Sequence, residues 1–249
     1  MKPTMKQAHA IPAALSAIVL ALATGSAGAQ VVNGNFGSGL AGWTVGGDGA
    51  VVSGRLALTN AYSDGSDDAD GVDRNLSGAN PLVAGQPGGL EDAAGVPRNA
   101  LDPDTADGIT AVEGSVASQT FLAAAGSQLS FSWNLDTTDT SGDADFADIA
   151  FVVVDGKLTI LGNILGATAA PAAGSSFAAQ TGWADWSTTL TSGGTHTVTF
   201  GVADVGDYFA TSELDVGAVG ISAVPESSTL AMLAAGLGLL ALRRRRRDA

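Results

Sequence analysis

Gln128-Leu129-Ser130-Phe131-Ser132-Trp133-Asn134-Leu135 sets a large apolar side chain at every second position, with a polar one between. That period of two is the pattern of a strand with one face buried, because successive side chains leave a strand on opposite sides. A helix would repeat its apolar residues every three or four positions instead. The same alternation recurs outward along the chain. In 195–202 the residues His196, Val198, Phe200 and Val202 fall in phase, and further on the N-terminal side so do Trp186, Thr188 and Leu190. Shorter runs of strand character occupy 45–53, 55–59, 110–118, 149–154, 157–161 and 216–222. Asp155-Gly156 between two of them is a two-residue hairpin signal. No internal stretch of a dozen residues has helical periodicity, so the expectation is an all-β domain: an antiparallel β-sandwich of jelly-roll type.

Between 60 and 107 the alternation lapses into Gly, Asp, Asn and Pro. This segment offers little to fill a core and reads as a long surface excursion, carrying at most short strands or a turn of helix.

Composition narrows what such a domain does. The 249-residue chain has a formal charge of −14, but its eleven basic residues are concentrated at the two ends. Within 30–223 only Arg55, Arg74, Arg98 and Lys157 stand against nearly all of the 25 acidic residues. Such a surface repels nucleic acid and attracts cations. There is no cysteine, which removes disulfides, thiol chemistry and Cys-ligated metals. No Gly-x-Ser-x-Gly occurs, and His196, the single histidine outside the first 29 residues, reads as a packed strand residue. Gly37-x-Gly39-x-x-Gly42 has the letters of a dinucleotide fingerprint, yet it leads into Trp43-Thr44-Val45 and no helix follows, so its context rejects it.

Two ends flank the domain. Residues 1–29 have the layout of a Sec-type signal peptide: Lys2 and Lys6, an apolar run over 11–23, and Ala27-Gly28-Ala29 before a cut ahead of Gln30. Residues 224–249 begin with Val224, Pro225, Glu226 and Ser227, continue through an apolar helix over 229–242, and end in Arg243, Arg244, Arg245, Arg246 and Arg247. This order of motif, apolar helix and arginine cluster resembles the PEP-CTERM sorting signal of Gram-negative bacteria, with Ser227 where the pattern has a second proline. The resemblance implies export, transient anchoring in the inner membrane through the helix, and recognition by an exosortase. It also implies a place at the cell surface or in an extracellular, polysaccharide-rich matrix such as a biofilm.

A second resemblance lies inside the domain. Asn33-Gly34-Asn35-Phe36 with Gly39-Leu40-Ala41-Gly42-Trp43 looks like the opening of galactose-binding-like jelly rolls, several of them carbohydrate-binding modules. Leu214-Asp215-Val216-Gly217-Ala218-Val219 looks like their closing strand. It implies that Phe36 packs on Trp43, that Asp215 lies nearby, and that a structural calcium joins the opening and closing strands. Gly37 stands where an acidic residue often follows the Phe, so one expected ligand is missing.

Calcium takes six to eight oxygens from closely spaced carboxylates and carbonyls. Asp64, Asp67, Asp68, Asp70 and Asp73 form one candidate run, and Asp143, Asp145 and Asp148 a second, with Asp215 added by the resemblance. Neither run has the spacing of an EF-hand, and each also reads as a solvated acidic loop. Aromatic rings stack on sugar faces. Trp183 and Trp186, three apart, point to opposite faces of a strand; Trp186 reads as core, leaving Trp183 and Tyr208 as sugar platforms. The expectation is a non-enzymatic surface or matrix protein binding exopolysaccharide with calcium. A structural coat protein without a sugar site, and an enzyme acting on polysaccharide through two carboxylates, are the competing readings.

Overall fold

The computed structural model describes residues 30–67, 70–103, 107–222, 235–240 and 243–245. The signal peptide, Asp68, the sorting motif Val224-Pro225-Glu226-Ser227, and Arg246 and Arg247 lie outside the described residues. Residues 235–240 are helical and their leucines are exposed. Among the described residues no helix is long and apolar enough to cross a membrane.

In chain order the first strands are β1 (Thr44–Gly46), β2 (Asp48–Val52), β3 (Arg55–Thr59) and β4 (Leu82–Val83). A single-turn helix, α1 (Leu90–Ala94), precedes β5 (Ala111–Ala123), β6 (Gln128–Thr137), β7 (Ile149–Val154) and β8 (Lys157–Asn163). The chain ends its sandwich with β9 (Ala179–Gln180), β10 (Ala184–Thr189), β11 (Gly194–Val205) and β12 (Ser212–Ser222). A back sheet runs β1-β5-β11-β7-β8 with β4 also on β5, and a front sheet runs β10-β6-β12-β3-β2 with β9 also on β6. Every pairing is antiparallel.

With the two- and three-residue strands set aside, successive strands change sheets at each step except across the β2–β3 and β7–β8 hairpins. The strand that makes the first change, β3, lies beside the last, β12. This is the jelly-roll winding of a β-sandwich. At the hairpin Asp155 and Gly156 both take positive φ, 52° and 78°, as a primed two-residue turn requires.

The stretch 45–53, which reads as one strand, is two. Gly47 takes φ 85° and passes the chain from the back sheet (β1) to the front sheet (β2). A Cβ there would sit 2.4 Å from Ser115 Oγ, so the crossing needs glycine.

Between the sheets, Phe131, Leu135, Phe200, Val202, Leu214 and Val216 are buried in one cluster. Phe36 packs on Trp43 at 5.3 Å and Trp43 on Phe200 at 5.7 Å, so the opening segment plugs one end of this core. It is held there by Val219 N–H donating to Gly34 O. A Cβ on Gly34 would lie 2.0 Å from Val219 O.

The second cluster corrects the reading of 60–107. Leu90, Ala94, Val96 and Leu101 are buried against Val116, Phe151, Val153 and Val205 on the outer side of the back sheet. Those sheet residues are apolar on both faces, so they need a cover, and a few spaced apolar residues in an otherwise polar segment provide it. The Glu91 carboxylate, also buried, accepts from the N–H groups of Gly85 and Asn99 and ties the cover to itself. The back sheet is thus covered, whereas the outer side of the front sheet carries polar and small residues.

Candidate functional site

Along β6, β12 and β3 the inward positions are apolar, so Ser130, Ser132, Asn134, Asp136, Glu213, Asp215 and Gly217 share the outer face. Three hollows lie in line on that face. The first, about 310 Å³, is bounded by Asp136, Phe177, Glu213 and Asp215 as well as Arg55 and Trp183. The second, about 490 Å³, shares Arg55 and Trp183 with it and has Ser132, Gly217 and Ala218 as its floor. The third, about 400 Å³, shares Ser132 and Ala218 with the second and continues past Asp185 and Ser187. Together they make one groove with Trp183 at the junction of the first two.

Trp183 is 45% exposed, whereas Trp43 and Trp133 are buried. Of the two nearby tryptophans, Trp186 packs in a tilted contact on Phe131 at 5.0 Å, half-buried and also lining the third hollow, whereas Trp183 is exposed and lines the first two. Arg55 lies over the Trp183 ring at 4.6 Å from its centroid, and a Cβ on Gly217 would come within 4.0 Å of Trp183 Cζ3. The indole is therefore held in place while much of it stays accessible.

At one end of the groove the carboxylate oxygens of Asp136, Glu213 and Asp215 lie within 4.8 Å of one another. Asp136 accepts from Asn134 Nδ2 at 2.6 Å, and Arg55 is 3.7 Å from Asp215. Burial and then the Asp215 charge push Asp136 up to about 6. Burial pushes Asp215 up to about 6, with Arg55 opposing. Burial, followed by the charges of Asp215, Asp136 and Asp48, pushes Glu213 up to about 8. Such a trio accepts hydrogen bonds from hydroxyls or supplies ligands to a hard cation. Of the three, only Asp215 was among the metal ligands expected from the sequence, where Asp136 was noted only as lying near the second acidic run. Asp136 and Glu213 stand opposite each other on neighbouring strands, a proximity that no sequence spacing reveals. Asp215 lies with this trio and beside Arg55 on the outer face of the front sheet.

Among the described residues the expected acidic runs do not gather. Asp64 accepts from Ser66 N–H, Asp73 from Asn75 N–H and Asp143 from Asp145 N–H, each closing its own turn. Asp70 accepts from Val72 N–H and both guanidinium nitrogens of Arg74, and that hydrogen bonding holds its carboxyl well below the usual range. Asp145 is exposed. Asp67 and Asp148 behave differently: both are buried, at an end of the sandwich where Glu113 and Asp204 are buried too. Tyr208 lies in the turn between β11 and β12, 48% exposed, and is not among the residues that line the groove. His196 is the packed residue expected, bonded to Asp155 at 2.7 Å and stacked on Phe121.

No protein-family model matches the chain, and no curated protein matches it. Among solved structures, the chain is similar to CBM61, solved in complex with β-1,4-galactotriose, at 12% identity and a TM-score of 0.34 over 78% of this chain and 97% of that one. It is also similar to CBM28, a carbohydrate-binding module specific for non-crystalline cellulose, at 12% identity and 0.36, over 78% and 95%. A third is the enzymatically active domain of tailspike protein 4 of bacteriophage CBA120, at 14% identity and 0.30, over 78% of this chain and 21% of that one. These likenesses are distant, and the reading of the site rests on the chain's own geometry.

Proposed function

We propose that this chain is an exported surface or matrix protein whose front sheet binds an extracellular polysaccharide along the groove centred on Trp183. The observation that carries the reading is the continuity of the groove past an exposed, clamped indole. A glycan chain needs a long, open track, a flat apolar face for its C–H side, and polar groups for its hydroxyls. The groove offers Trp183 as the face, Ser132, Gly217 and Ala218 as a low floor, and Arg55, Asn134 and the acidic trio as partners.

Binding fits better than hydrolysis. Asp136, Glu213 and Asp215 project side by side from adjacent strands on one face, whereas a glycosidase places two carboxylates on opposite sides of the scissile bond. Calcium enters this reading at the trio, where an ion would bridge carboxylates and vicinal hydroxyls. The two end segments support export and exosortase recognition from sequence, and the purely structural coat protein is the alternative that the binding test decides.

The test is a glycan-array screen of the purified protein, with and without EDTA, followed by titration of the strongest hit. Trp183→Ala should weaken binding about tenfold or more while leaving the unfolding midpoint in place. Absence of any glycan hit, or a Trp183→Ala variant that binds normally, would turn the reading to the structural alternative.

A further inference from the structure

Glu113 on β5 stands directly opposite Asp204 on β11, and their side chains share the inner face of the back sheet. Ile149 is paired with Ala203, which brings Asp148, just before β7, to the other side of Asp204. Three carboxyls thus form a row across three strands at one end of the core, exposed by 0%, 2% and 2%. The loop after β3 closes over them. Tyr62 donates its hydroxyl to Glu113 Oε2, and Asp67, itself 4% exposed, accepts from Tyr62 N–H. Asp67 raises the carboxyl of Glu113 by its charge and so lies within reach of the row.

Like charges directly opposite on paired strands destabilise a sheet, and burying them adds a desolvation cost. The hydrogen-bond accounting is incomplete as well. Asp148 is satisfied by Val205 N–H at 3.1 Å, Ser212 Oγ at 2.6 Å and Asn60 Nδ2 at 3.2 Å. Asp204 shares a hydrogen bond with Asp148. Glu113 Oε1 and Asp204 Oδ1 have no partner among the described residues. Two buried oxygens with no donor, in neighbouring carboxyls raised first by burial and then by the charges of nearby acids, lack a positive group.

We propose that a hard divalent cation, calcium, binds at this end of the sandwich through Glu113 and Asp204, with Asp67 closing the site from the loop. Calcium accepts several oxygen ligands in flexible geometry and completes its shell with water, so a row with two unspent carboxylate oxygens suits it. The oxygens are less tightly gathered than those of the groove trio, and an ion would draw them together. The place is distinct from the groove and from the opening-and-closing-strand site that the jelly-roll resemblance implied. Its effect is structural: it joins β5, β11 and the loop after β3.

The experiment uses the full chain, stripped with EDTA and titrated with calcium chloride by calorimetry and by thermal unfolding. Calcium should raise the midpoint by about 5 °C or more, because an ion bound only by the native state stabilises it by mass action. Glu113→Gln and Asp204→Asn should each abolish that rise, while Asp145→Asn, at an exposed turn, should keep it. Removing a carboxylate also relieves repulsion, so Glu113→Gln in EDTA should be at least as stable as the parent. That gives a readout even if Asp204→Asn fails to fold. No calcium rise in the parent, or a rise lost with Asp136→Asn in the groove and kept with Glu113→Gln, would overturn the proposal. Neither result bears on whether Trp183 binds glycan, which the array reads separately.

Discussion

Arg55 reaches two members of the groove at once, its guanidinium 4.6 Å over the ring of Trp183 and 3.7 Å from Asp215. One residue on β3 thereby ties the stacking face to the acidic end of the groove. Arg55→Ala should weaken glycan binding several-fold, and Trp183→Ala about tenfold or more, equivalent to roughly 1.4 kcal/mol. Arg55→Lys should fall between the parent and Arg55→Ala, since lysine keeps the charge but has no planar fork to lie on the indole. Titration with the best glycan from the array orders the three.

Stability should fall as pH rises, contrary to the usual behaviour of carboxylates. Asp136 and Asp215 are pushed up to about 6, Glu113 to about 7 and Glu213 to about 8, in each case first by burial. Asp148 and Asp204 are raised as well, also by burial before anything else. The folded state therefore holds more protons than the unfolded chain between about pH 4 and 8, and linkage makes stability decline across that window. In EDTA the unfolding midpoint should be highest near pH 4.5 and drop by several degrees by pH 8. Saturating calcium should flatten the slope, because the ion favours the ionised carboxylates. A flat profile in EDTA would contradict these raised values.

Leu90→Ala tests the cover on the back sheet. Leu90 is fully buried, though it belongs to a segment whose composition reads as surface. The substitution should cost about 2–4 kcal/mol, measured by denaturant unfolding, and should leave glycan affinity unchanged. A loss below about 0.5 kcal/mol would mean that the cover contributes little.

Gly34→Ala tests the plug at the other end of the core. A methyl group 2.0 Å from Val219 O cannot be accommodated without moving the opening segment from β12. Destabilisation of roughly 1–3 kcal/mol is expected, with a change in the near-ultraviolet signal of Trp43, which packs beneath it.

Much of the frame was legible because strand alternation is local. Leu129, Phe131, Trp133 and Leu135 announce their shared face without any knowledge of the partner strands, and Asp155-Gly156 announces its own turn. Gly47 was not legible, since a crossing from one sheet to the other is decided by Ser115, 68 positions away. Leu90 and Leu101 were missed for a similar reason: they find burial on a sheet face that alternation assigns to solvent, and only the apolar outer residues of β7 and β11 create the need. The acidic sites show the same limit. Asp64, Asp70 and Asp73 are close in sequence and close separate turns, whereas Asp136 with Glu213, and Glu113 with Asp204, meet only through strand pairing. Trp183 and Trp186 part company because three positions along an extended chain reverse the side-chain direction.

The strand β12 lies in the interior of the front sheet, bonded to β6 on one side and to β3 on the other, and residues 223–249 depart from its far end. A pull along the axis of β12 would load its ladder bonds together in shear instead of parting them one at a time. On the proposed reading, drag on a glycan in the groove would meet the same strand through Glu213, Asp215 and Gly217. Load applied at the end of β12 and load applied in the groove would then be coupled through a single eleven-residue span.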